Sequence, residues 1–264
     1  MGVPGAAALI ADLVDANHIL FREGVLDGFG HVSARDPQRA GRFLLARSMA
    51  PALVGADDMM RFDFDGNTAG KDSRPPYLER FIHGEIYRAR PDVNAIVHSH
   101  SLGVIPFGVA SGNRLRAICH MSGFLGGATP VFEIRATAGP ASDLLIRDRK
   151  LGAALARSLG SNAVVLMRGH GSTVVGASVR QAVFRAVYTE VNARLQSEAL
   201  RLGPVTYLTE QEAELASATN DGQINRAWEL WKMLAAQAPL RAAQRSRPPR
   251  RVPGPSGARG SRQD

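Results

Sequence analysis

Asp92-Val93-Asn94-Ala95-Ile96-Val97-His98-Ser99-His100 is a short apolar run that ends in two histidines one residue apart. Side chains of a strand repeat every two residues, so the spacing predicts that the His98 and His100 imidazoles share one face. Ala95-Ile96-Val97 is apolar and rich in β-branched residues, as a buried strand requires. Glu79 stands nineteen positions before His98, and a third histidine follows in Arg168-Gly169-His170-Gly171, just after Val164-Val165-Leu166-Met167. A lone histidine usually serves the scaffold. Two imidazoles on one strand and a third from a distant loop instead suit a three-nitrogen metal site with an open coordination position, the geometry of catalysis. A carboxylate beside such a site ligates the metal at rest or works as acid/base once substrate displaces it, and the second role is expected for Glu79. Glu85, further along the same segment, is expected to face solvent. His31 and His120 are expected to line the substrate site.

The surrounding pattern is of mixed class. Residues 78–90 read as an amphipathic helix, closed where Arg90 precedes Pro91. Before it come a helix over residues 6–25, the glycine-broken Asp27-Gly28-Phe29-Gly30, and three short strands over 31–35, 42–47 and 59–64. After the histidine strand come a helix over 103–110 and strands over 163–167 and 172–175. Ser178-Val179-Arg180-Gln181 has capping-box spacing and opens a helix to about residue 202. Thr209-Glu210-Gln211-Glu212 repeats that signal before a last helix ending near residue 238. Helix and strand alternate, and the early connections are too short for helical crossovers. The expected fold is a single α/β layered domain with a central, mostly antiparallel sheet flanked by helices.

Composition narrows the function classes. At 264 residues and 45% apolar, the chain buries a full core as one domain, taken as residues 1–238. One cysteine, Cys119, excludes a disulfide framework and a cysteine-rich zinc module, and suits a reducing cytoplasm. No apolar run approaches the ~20 residues of a membrane span, and the N-terminus lacks the basic region of a signal peptide. The net charge of +8 is concentrated in the Arg/Pro/Gly-rich segment 239–264, which carries seven arginines and one acid. The body then holds 25 basic and 23 acidic residues, so nucleic acid is not an expected partner. The tail has no apolar periodicity and is expected to be disordered.

Several ordered motifs carry a family resemblance. Pro76-Tyr77-Leu78-Glu79-Arg80-Phe81-Ile82-His83, then Tyr87 through His100, resemble the core of the class II aldolase/adducin family. Gly28-Phe29-Gly30-His31-Val32-Ser33-Ala34-Arg35 and Arg168-Gly169-His170-Gly171 match it as well, so the resemblance runs over about residues 5–235. It implies three histidines on a divalent metal (His98, His100, His170), Glu79 as acid/base, and a homotetramer with sites near subunit interfaces. Adducin-like members lose the ligands, whereas this chain keeps all four.

The departures shape the substrate expectation. Sugar-phosphate aldolases of the family carry Gly-Asn where this chain has Gly30-His31, and small hydroxyl residues where it has Tyr77-Leu78. Their hydroxyl- and glycine-containing turn is replaced by Ala46-Arg47-Ser48-Met49-Ala50. Those positions supply phosphate donors, so a phosphosugar is disfavoured. Arg47 and His31 offer groups suited to a carboxylate instead. With Tyr87, the segment His120 to Leu125, and Tyr188, the chain resembles the decarboxylases of aromatic catabolism that act on hydroxy-carboxymuconic semialdehydes or 3,4-dihydroxyphthalate. The expected activity is a metal-dependent decarboxylation through a metal-stabilised enolate, on a small carboxylate held by His31, Arg47, Ser48, His120 and Tyr188. Zinc is the first expectation for the metal, with manganese or iron as alternatives. The rival expectations are an aldolase on a non-phosphorylated 2-keto acid, a non-haem iron oxygenase on the same scaffold, and a non-catalytic interaction module.

Overall fold

In the computed structural model, which describes residues 5–70 and 72–237, the histidine-bearing run is strand β4 (Ala95–Ser99), buried along its whole length. The tail 239–264 lies outside the described residues. β4 is the middle member of a seven-stranded sheet with β1 (His31–Arg35), β2 (Arg42–Ala46), β3 (Met59–Asp63), β5 (Val131–Phe132), β6 (Val164–Met167) and β7 (Gly171–Gly176). The strand order is β3-β2-β1-β4-β7-β6-β5. Every pairing is antiparallel except β5 with β6. The expected mostly antiparallel sheet is therefore present.

The period of two along β4 divides two cores. Ala95 and Val97 join one cluster, with Leu13, Ile19 and Leu20 of helix α1 (Ala6–Arg22) and Val183, Phe184 and Val187. Ile96 joins the other, with Ile82, Ile86 and Tyr87 of α2 (Arg80–Ala89). Two short helices follow β4 and β5, α3 (Ile105–Val109) and α4 (Arg135–Ala138), and then α5 (Arg149–Leu159). The C-terminal helices are α6 (Val179–Leu202), α7 (Glu210–Asp221) and α8 (Ile224–Ala236). Helices α1, α6 and α8 thus cover one face, and α2 and α5 the other. His98 has the parity of Ile96, so it projects toward the α2 face, one side of a sheet with both faces dry.

Five differences from the sequence expectation stand out. α2 starts at Arg80 rather than residue 78. Glu79 stands before the first turn, where its carbonyl accepts from the Ile82 N–H and its side chain is free to turn away from the helix. Glu85 is buried, not solvated, and pairs with Arg149 of α5 at 2.7 Å. The single C-terminal helix is two, broken at Gly222-Gln223. At Ser178 only half a capping box forms: the hydroxyl accepts from Gln181 N–H, but the Gln181 amide oxygen takes the Ala177 N–H. The reciprocal box does form at Thr209 and Glu212. Helix α5, capped by Asp148, was absent from the sequence reading.

Candidate metal centre

The backbone brings the histidines together by close approach. β7 pairs with β4, setting His98 opposite Thr173 and Ser99 opposite Ser172. That pairing holds the start of β7 against the end of β4, and a Cβ at Gly171 would collide with the Ser99 carbonyl oxygen. Glycine there is what lets the His170 turn fold onto His100. The His100 and His170 Nε2 atoms lie 2.9 Å apart, and the His98 ring centroid is 5.2 Å from His100 and 5.0 Å from His170. Glu79 reaches in from the head of α2, its Oε2 at 3.4 Å from both His98 Nε2 and His170 Nε2. One donor atom from each of Glu79, His98, His100 and His170 falls within 4.8 Å of all the others.

Backbone carbonyls orient two of the rings. His98 Nδ1 meets the Ser172 carbonyl at 3.1 Å and His170 Nδ1 meets the Leu144 carbonyl at 2.9 Å. A carbonyl only accepts, so each Nδ1 carries the proton and each Nε2 turns a lone pair into the cluster. His98 Nε2 is buried without a hydrogen-bond partner. An orphaned lone pair in a dry site calls for a cation, and outer-shell bonds of this kind are how proteins orient metal-binding imidazoles. Glu79 Oε1 is also held, accepting from the Ile146 N–H at 2.9 Å, which leaves Oε2 for the cluster. Leu144, whose carbonyl holds His170, has a positive φ of 68°, a strained backbone for a branched residue. The donor set fits a divalent transition ion with an open position.

The charges agree with that fit. Burial alone would raise the Glu79 carboxyl, but the facing His98 and His170 imidazoles hold it well below the usual carboxylate range. Burial, with His98 and His170 beside it, pulls His100 down to about 4. Burial pushes His170 down too, yet the negative charge of Glu79 beside it outweighs that and leaves it raised.

A cavity of about 560 Å³ opens beside the cluster, and Glu79 and His100 line it. Of the residues expected to touch substrate, His31 and Ser48 line this cavity and the other three do not. Arg47 is turned aside, its Nε 2.7 Å from Asp58 Oδ1. His120 is exposed, its carbonyl accepting from Asn220. Tyr188 packs among Phe184 and Trp231 in the core on the opposite face of the sheet. The rest of the lining is mainly apolar, with Phe29, Met49, Ala50, Tyr77, Leu78 and Leu145. Tyr77 was absent from the expected substrate contacts. Its ring sits 4.6 Å from His31, and its hydroxyl donates to the Met49 carbonyl at 2.5 Å. The 144–146 backbone was missed as well, because a main-chain donor or acceptor leaves no mark in residue type.

Residues 11–197 match the family model described as Class II Aldolase and Adducin N-terminal domain. The chain belongs to the class II aldolase and adducin family. A relative from Talaromyces stipitatus, Decarboxylase tropJ, is 37% identical over 254 residues, covering 88% of this chain and 95% of that protein. A 3,4-dihydroxyphthalate decarboxylase of Arthrobacter keyseri is 34% identical over 204 residues, covering 71% and 77%. In fold, this class II aldolase family member is similar to an L-fuculose 1-phosphate aldolase from Glaciozyma antarctica, with a TM-score of 0.72, 22% identity and 90% and 96% coverage. These relatives break carbon–carbon bonds, and that relationship makes the chain a carbon–carbon lyase. Among the described residues no helix is long and apolar enough to cross a membrane.

Proposed function

We propose that the chain is a divalent-metal-dependent decarboxylase of a small, ring-like or conjugated carboxylate, of the 3,4-dihydroxyphthalate or hydroxy-carboxymuconic semialdehyde type. The observation that carries this reading is the convergence of Glu79, His98, His100 and His170, one donor atom from each within 4.8 Å of the others, beside an apolar cavity. A bound divalent cation supplies Lewis acidity for the electron pair left behind as the carboxylate carbon departs. Zinc fits three imidazoles best, with manganese and iron the alternatives.

The chain's own groups do the rest. Phe29, Leu78 and Leu145 give the planar carbon skeleton an apolar wall and exclude water from it. Glu79, ionised at rest, takes the hydroxyl proton of the incoming ligand at Oε2 while Oε1 stays on the Ile146 N–H. It returns that proton to the carbon that carried the carboxylate once carbon dioxide has left, and the ligand oxygen left ionised regains a proton from water as the product departs. His31 and Ser48 hold the carboxylate that remains. The phosphate-binding hydroxyls of the sugar-phosphate branch are replaced by Tyr77 and Leu78, which disfavours a phosphosugar. We also take the working form to be a cytoplasmic homotetramer, as the resemblance implies; light scattering at native salt tests the subunit count.

The deciding experiment supplies metal-reconstituted protein with 3,4-dihydroxyphthalate, a hydroxy-carboxymuconic semialdehyde and a non-phosphorylated 4-hydroxy-2-keto acid. Carbon dioxide from either of the first two, lost in His98→Ala, is the expected result. Aldehyde from the keto acid without carbon dioxide would move the assignment to aldolase.

A further inference from the structure

One buried chain of polar groups runs from the core to His31 at the cavity. Tyr87 Oη lies 2.8 Å from Ser33 Oγ, Ser33 Oγ lies 2.6 Å from His83 Nδ1, and His83 Nε2 lies 2.7 Å from His31 Nδ1. All four residues are buried, Ser33 and His83 completely. They come from two elements only. His31 and Ser33 are alternate residues of β1, facing α2, and His83 and Tyr87 are one turn apart on α2. His31 is paired across the sheet with His98, so the chain ends next to the metal cluster.

The direction of these bonds follows from counting protons. Among the described residues the Tyr87 hydroxyl has one neighbour able to accept its proton, Ser33 Oγ. If Ser33 instead donated to Tyr87, the Tyr87 proton would be stranded in a dry core, a cost of ~1–3 kcal/mol. Tyr87 therefore donates to Ser33, and Ser33 donates to His83 Nδ1. A neutral His83 with an accepting Nδ1 carries its proton on Nε2 and gives it to His31 Nδ1. His31 is then left with its proton on Nε2, the ring atom not used within the chain and so available to a ligand in the cavity.

We propose that Tyr87, Ser33 and His83 form a positioning relay that fixes His31 as an Nε2–H donor, so that the cavity selects a ligand with a second anionic or carbonyl oxygen beyond the group held at the cluster. The claim about the ligand rests on the carboxylate reading above; the claim about the tautomer does not. A His31 free to choose would spend part of its time with a lone pair at Nε2, repelling that oxygen. The relay removes this alternative and costs no charge, since no member of it needs to ionise.

The test is a nitrogen-15 spectrum of histidine-labelled, zinc-loaded protein without substrate, with His31 assigned by loss of its signals in His31→Asn. The expected result is a protonated Nε2 and an unprotonated, accepting Nδ1 on His31. In Ser33→Ala, which deletes the donor to His83, the His31 tautomers become mixed. KM for a dicarboxylate then rises roughly two- to tenfold with kcat within about twofold, the loss of one modest hydrogen bond. A His31 protonated at Nδ1, or an unchanged tautomer in a folded Ser33→Ala, overturns the relay. If Ser33→Ala does not fold, the wild-type tautomer still decides. Because the spectrum needs no substrate, a failed relay and a failed decarboxylase assignment give different results.

Discussion

Glu79 contributes the one carboxylate of a cluster whose other donors are imidazoles, and its two oxygens have separate tasks. Oε1 is fixed by the Ile146 N–H and Oε2 faces His98 and His170. Glu79→Gln keeps the size and the Ile146 bond but cannot take a proton. Its kcat should fall by ~10²–10⁴, the usual share of a positioned acid/base, while bound metal measured by elemental analysis stays at the wild-type level. His98→Ala should do the reverse and lose the metal itself, which equilibrium dialysis reads directly. These two residues were legible in the sequence for different reasons. The His98/His100 spacing works through the strand period, which fixes a face before any partner is known. Glu79 stood out through the motif around it and not through helix spacing, for it stands outside the helix. Arg47 misled because its chemistry was visible and its partner was not: Asp58, eleven residues on, claims the guanidinium.

At the scale of elements, α2 holds both the relay and the seat for α5. Burial, with His98 beside it, outweighs the pull of Glu79 and keeps His83 neutral, its pKa pushed down to about 3 from an ordinary 6.5. A histidine depressed in the fold is protonated first in the unfolded chain. Its stabilising share is complete above pH 6.5 and is lost as pH falls toward 3. Urea midpoints of metal-free protein at several pH values, compared with His83→Gln, should show the wild type losing more stability across that window. Gly152 of α5 sits where a Cβ would meet the Phe81 carbonyl oxygen at 2.5 Å. Gly152→Ala is therefore expected to cost ~1–3 kcal/mol by overpacking, read as a lower urea midpoint with an unchanged slope. Strands β1 to β4, β6 and β7 were legible to within about a residue because apolar alternation and glycine breaks mark them, whereas the two-residue β5 is too short to show a period. Helix α5 was not, and with it went the burial of Glu85, since a residue is buried by its neighbour as much as by its own pattern. The break at Gly222 was hidden by a capping signal strong enough to suggest one long helix.

On the scale of the whole molecule, the site joins β4, the β6–β7 turn, the head of α2 and the 144–146 backbone, four segments far apart in sequence. A ligand bound only by the assembled chain stabilises it by mass action, ~2.7 kcal/mol at a hundredfold excess over Kd. Zinc should accordingly raise the thermal midpoint of the wild type and leave that of His98→Ala unmoved. The layered α/β class was legible from the alternation of helical and strand periods. The position of the cavity was not, because its walls come from loops at Gly28, Ser48 and Leu145 that share no period. The most direct measurement takes metal-stripped protein, reloads it stepwise with zinc, and follows carbon dioxide from 3,4-dihydroxyphthalate against bound metal. Release that climbs in proportion to metal, reaches its limit at one ion per chain and is missing in His98→Ala is the expected result. Equal release from stripped and reloaded protein, or aldehyde formation from a keto acid with no carbon dioxide from any carboxylate, would contradict it.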